Sequence, residues 1–68
     1  MKKLEYIPPS EALRAARQRL GLTIAQAASA VGAHWYQWDR WESGTVTPRG
    51  VAEKLEAVEK YARRIKAG

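Results

Sequence analysis

Gly21, Gly32 and Gly44 cut the middle of this chain into pieces of ten and eleven residues, 22–31 and 33–43. Glycine is the usual residue where a helix stops in a left-handed turn. The pieces between the glycines carry apolar residues at helical spacing. Together these features call for short helices joined by tight turns.

The first helix is expected over about residues 11–20. Ser10 is a good N-cap, and Glu11 places a negative charge in the first turn. Leu13, Ala16, Arg17 and Leu20 share one face, and Gly21 ends it. The second helix opens at Thr23, with Gln26 three residues on in capping-box spacing. Ile24, Ala27, Ala28 and Val31 form its inner face, and its many alanines let another helix approach closely. The third helix fits about 34–43. Thr47 followed by Pro48 reads as an N-cap with proline at the first helical position, which starts a last helix over about 48–66. Val51, Leu55, Val58, Ala62 and Ile65 line one side of that helix. Glu56–Lys60 and Glu59–Arg63 are favourable i, i+4 pairs. Ahead of Pro8-Pro9, "KLEYI" suits a short strand or an extended arm, with Leu4, Tyr6 and Ile7 supplying apolar character. The expected architecture is all-α: a compact four-helix domain over 10–68, five if the last helix breaks, with an N-terminal arm over 1–9. Two short helices joined by a tight glycine-containing turn make the helix-turn-helix layout.

Sixty-eight residues make one domain. A chain of this size buries only about 60% of its unfolded surface, so a second copy helping to stabilise it is a reasonable expectation. With no cysteine, no disulfide or thiolate zinc site can staple it. The single histidine cannot complete a zinc set, and no metal or cofactor is expected. No apolar run approaches the ~20 residues of a membrane span. "MKKLEYIPPS" lacks the apolar core of a secretory signal. A soluble, cytoplasmic protein without a membrane role is expected. Its net charge of +5 favours a polyanionic partner.

All three tryptophans and the only histidine fall in "GAHWYQWDRWESG", Gly32 to Gly44. At about 3.6 residues per turn, Trp38 and Trp41 lie together and belong to the core, with Glu42 on its inner edge. Tyr36 and Arg40 lie together on the opposite face, with Trp35 and Gln37 at its margins. An aromatic stripe at helical spacing is ordinarily core, which accounts for Trp38 and Trp41. It does not account for Tyr36 beside Arg40, a polar-aromatic surface suited to recognition.

The stretch Leu13 to Pro48 resembles the XRE/Cro-repressor helix-turn-helix family, of lambda-repressor-like type. The resemblance rests on Gly21-Leu22-Thr23 opening the second helix, Ala28 at its middle, Gly32 in the turn, Glu42-x-Gly44 ending the third helix, and Pro48 soon after. It covers just over half the chain without gaps. Small phage and mobile-element regulators, anti-CRISPR-associated repressors among them, are similar in size and in the Arg40-to-Gly44 ending. The resemblance implies that the third helix enters the major groove of double-stranded DNA, its N-terminal part meeting base edges. His34, Trp35, Tyr36, Gln37 and Arg40 would then read bases: Arg40 guanine, Gln37 adenine, and the aromatics thymine methyls or the backbone. Thr23, Thr45, Thr47 and Arg49 would bind phosphates, with backbone N–H groups at helix N-termini assisting. Arg17 and Glu42 would form an internal, structural ion pair; an Arg on an apolar face needs a partner. Leu13, Leu20, Trp38, Trp41 and Leu55 would make the core. The sequence departs from the family at Ile24, where a polar residue commonly touches DNA, and in the bulky His34-Trp35-Tyr36 run. Base preference therefore does not carry over.

Two other function classes compete. An enzyme needs a nucleophile, an acid–base pair or a metal, and none is legible: Glu53, Glu56 and Glu59 read as a solvated helix face. A protein-interaction module, such as the antitoxin of a toxin–antitoxin pair, is the stronger rival, because Tyr, Trp and Arg also make protein hot spots. The basic charge favours DNA. The expectation is a nucleoid-associated dimeric autorepressor on an inverted-repeat operator. Its dimer contacts would come either from Leu4, Tyr6 and Ile7 or from Val58, Tyr61 and Ile65.

Overall fold

The computed structural model describes residues 7–67. Four helices follow one another: α1 (Pro9–Leu20), α2 (Ile24–Ala30), α3 (Trp35–Ser43) and α4 (Val51–Ala67). No strand occurs among the described residues. Leu4 and Tyr6 of the expected arm lie outside them; Ile7 is 60% exposed.

Two helix starts differ from the sequence expectation. Ser10 does not cap α1. Pro8 stands at the N-cap with an extended backbone, Pro9 follows at the first helical position, and Ala12 N–H donates to the Pro8 carbonyl. Proline is tolerated there because the first helical N–H groups have no intrahelical acceptor. Neither does Thr47 cap α4, nor Pro48 begin it. Pro48 is a buried loop residue, and Gly50 sits at φ +61°, which holds the chain out of the helical region until Val51. The Gly50 carbonyl then accepts the first helical bond, from Lys54 N–H.

The two inner turns follow from local chemistry. Thr23 Oγ1 accepts from Gln26 N–H at 3.0 Å, and Gln26 Oε1 accepts from Thr23 N–H at 2.9 Å, a complete capping box. The turn between α2 and α3 spans residues 31–34, with Gly32 at φ +72°. α3 ends at Gly44, φ +85°, whose N–H closes back on the last turn.

Leu13, Ala16, Leu22, Ala27, Ala28, Trp38, Trp41, Val58 and Ala62 make the core. Trp38 is fully buried and meets Trp41 edge-on, ring centroids 5.8 Å apart. Ala27 and Ala28 supply the small surface of α2 in that core, where bulky tryptophans need it. Leu20 and Leu55 lie half-buried at its margin. Val58 is fully buried within this chain, leaving Tyr61 and Ile65 as the members of its group with accessible surface. Ile65 leaves the apolar face it belongs to by pattern. The core ends at Ala62, α4 runs on past it, and Ile65 is left 43% exposed.

Candidate nucleic-acid interface

The ground plan of α3 is a helix held from one side. Trp38, Trp41 and Glu42 are buried, while Trp35, Tyr36, Gln37, Asp39 and Arg40 are exposed. His34 is the N-cap, also exposed, and its side chain makes no capping bond. Its carbonyl accepts from Gln37 and Trp38 N–H. The five residues expected to read bases thus lie on the outward side and N-terminal end of one helix.

What fixes the helix is Glu42. Its Oε2 accepts from Arg17 Nε at 2.5 Å and from Trp38 Nε1 at 2.6 Å, and its Oε1 accepts from Arg17 Nη2 at 3.1 Å. The guanidinium fork suits a bidentate grip on a carboxylate. Arg17 also donates from Nη1 to the Leu22 carbonyl, 3.2 Å away, so one side chain ties α1, the α1–α2 loop and α3 together. The hydrogen bond to Glu42 pushes the Arg17 guanidinium above its ordinary range; burial opposes this, and the charge of Glu42 adds to it. Among the described residues no buried side-chain polar atom is left unpartnered.

The sequence does not reveal two further supports. Arg14 donates from Nη2 to the Glu42 backbone carbonyl at 2.8 Å, and its Nε lies 4.0 Å from Glu42 Oε1. Lys54 Nζ lies 5.0 Å from the Trp41 ring centroid and donates to the Arg49 carbonyl, pinning the α3–α4 loop to the core. Arg14 falls three residues before Arg17, so helical spacing places both within reach of one neighbour. That was the available signal. Lys54 carries no comparable local mark.

On the outer side the aromatics form a cluster around Tyr36. The His34 and Tyr36 rings are 4.5 Å apart and tilted by 36°. Trp35 meets Tyr36 edge-on at 6.0 Å. The Arg40 guanidinium carbon stands 5.7 Å from the Tyr36 ring centroid. Trp35 stays 55% and Tyr36 48% exposed, a large apolar area for so small a protein to leave in water. Gln37 is exposed beside this cluster without a described side-chain partner.

The four residues expected at phosphates divide. Thr23 is committed to the capping box at the start of α2. Thr45, Thr47 and Arg49 are exposed on the loop after α3. Thr45 shares a 2.9 Å hydroxyl contact with Ser43, whose Oγ also donates to the Arg40 carbonyl at 3.0 Å. Thr45 N–H reaches that same carbonyl at 3.1 Å. The loop root is therefore ordered by its own hydrogen bonds.

No helix is long and apolar enough to cross a membrane, and no metal-ligating cluster occurs, among the described residues. In comparisons with family models, curated proteins and solved structures, the chain matches none of them.

Proposed function

We propose that the protein is a sequence-specific DNA-binding transcriptional regulator of the helix-turn-helix type, a dimeric autorepressor that places α3 in the major groove. The observation that carries this reading is the division of α3. One side is locked into the core by Trp38, Trp41 and Glu42, and the other presents Trp35, Tyr36, Gln37 and Arg40 to solvent. Recognition needs side chains held in place by a rigid element, and a helix of about 10–12 Å diameter fits a major groove about 12 Å wide. The net charge of +5 and the exposed Arg49, Thr45 and Thr47 suit a phosphate backbone. Half-sites of an inverted repeat would lie about one helical turn apart. Repression would follow from excluding RNA polymerase.

The test is fluorescence anisotropy with the duplex immediately upstream of the protein's own gene against a scrambled duplex, over a salt series. A preference of ~10³-fold or more that weakens as salt rises is the expected result. Equal, weak binding to both duplexes, with little salt dependence, would favour the second reading. In that reading the exposed Trp35–Tyr36–Arg40 surface is a protein hot spot, as in an antitoxin meeting its toxin.

A further inference from the structure

We propose that the outer face of α3 reads a pyrimidine–guanine step whose pyrimidine carries a C5-methyl group, thymine–guanine or 5-methylcytosine–guanine, with Arg40 on the guanine and the Tyr36–Trp35 pair against the methyl. This rests on the DNA-binding reading and specifies what that surface recognises.

Arg40 is the first part of the argument. Arg14 and Arg17 sit against Glu42, and Arg19 and Arg63 sit against Glu59. Among the described residues Arg40 has no carboxylate in ion-pair range; it lies over the Tyr36 ring instead. The arginine side-chain hydrogen bonds among the described residues come from Arg14, Arg17 and Arg19, so the N–H groups of Arg40 are free. The Tyr36 ring lies beside the fork without using its donors. The base edge that matches this fork is guanine, through O6 and N7.

The aromatics are the second part. Trp35 and Tyr36 leave apolar surface exposed on a face otherwise made of Gln37, Asp39 and Arg40. In a major groove the apolar feature of a base edge is the C5-methyl of thymine, which methylated cytosine also carries. Arg40 and Tyr36 are 5.7 Å apart, while successive bases rise about 3.4 Å along a strand. That separation is less than two base rises, so the two side chains fit adjacent bases of one strand. A methyl on the pyrimidine immediately 5′ of the guanine lies beside the guanine N7 edge, where the Arg40–Tyr36 pair would meet it.

The experiment selects binders from a library of random-sequence duplexes, then alters single atoms in a recovered duplex. Uracil for thymine at the step removes only the methyl and should weaken binding about fourfold, the worth of one buried methyl-sized group. The same exchange at thymines not followed by guanine should change little. Cytosine at the step should bind like uracil, and 5-methylcytosine should restore thymine's affinity. 7-Deazaguanine should cost about tenfold or more in wild type and much less in Arg40→Lys, which keeps the charge but loses the fork. Tyr36→Ala should erase the difference between thymine and uracil; circular dichroism would verify that this variant is folded. Enriched duplexes that lack such a step, or that bind equally with uracil, would overturn the inference and leave the DNA-binding reading standing. No enrichment over the starting library would overturn both.

Discussion

Glu42 is the residue on which the position of α3 depends. It is 7% exposed and takes two donors from Arg17 and one from Trp38. Removing one partner of a buried ion pair costs about 3–5 kcal/mol, because the other charge stays behind. Glu42→Ala strands both the Arg17 guanidinium and the buried Trp38 N–H, so urea denaturation should show a loss at the upper end of that range. Arg17→Ala should cost less, since the Trp38 bond survives and Arg14, 4.0 Å from the carboxylate, can close in. Equal losses would show that Arg14 does not substitute. The raised Arg17 pKa has a definite sign. A cation held above its unfolded value contributes its full stability below that value and loses it only as pH rises through the folded one. For an arginine that window lies in strong alkali, so this group should add no slope to stability between about pH 6 and 9, where arginine is fully charged. Arg40 lies at the same scale on the opposite face. Arg40→Ala should weaken binding to cognate DNA far more than to scrambled DNA; equal loss on both would make it a backbone contact.

Among the elements, α2 and α3 are each defined by their ends. Thr23→Ala removes the capping box of α2 and should cost about 1 kcal/mol in chemical denaturation. Gly44 closes α3 at φ +85°, and a Cβ there would meet nothing within 4 Å. The cost of Gly44→Ala is therefore backbone strain alone, about 1–2 kcal/mol. Gly44→Asn should be milder, since asparagine visits this region more readily. The loop after α3 has its own test. Arg49→Ala should lower the slope of log affinity against log salt by about one unit, uniformly across sequences, and an unchanged slope would remove Arg49 from the phosphate contacts.

At the scale of the whole molecule, one indole does much of the packing. Trp38 is the largest fully buried side chain, and truncating such a residue to alanine costs about 3–5 kcal/mol. At about 0.05–0.15 kcal/mol per residue, a domain of this size has about 3–10 kcal/mol to lose, so Trp38→Ala should remove a large part of its stability in urea denaturation. The overhang of α4 past Ala62 exposes Ile65, with Tyr61 half-buried beside it. If this end joins two copies, Ile65→Glu should raise the concentration at which sedimentation velocity detects dimer, while leaving the fold intact. An unchanged dimer would move the contact elsewhere on the chain.

The helices, their number and their inner faces are legible in the sequence. Apolar spacing, the Thr23–Gln26 box and the glycines at 21, 32 and 44 act within one turn of the chain, and so does the outward pairing of Tyr36 with Arg40. The starts of α1 and α4 are not legible. Ser10 and Thr47 carry good local cap chemistry, and the competing geometry of Pro8-Pro9 and of buried Pro48 with Gly50 prevails. Local signals describe what a segment tolerates, whereas packing chooses among tolerated forms. The same reason separates Val58 from Ile65. Both lie on one apolar stripe of α4, but the rest of the molecule covers the first and stops short of the second. The bond from Trp38 to Glu42 lies within α3, whereas Arg17 reaches Glu42 across 25 positions, with Arg14 beside it and Lys54 over Trp41. The sequence alone determined which faces turn inward, because helical periodicity is local. The Arg17–Glu42 pair is expected from the family resemblance, but only the tertiary structure decided that Arg14 joins it, that Lys54 covers Trp41 and how far the core extends, because those depend on distances between segments that exist only once the chain has folded.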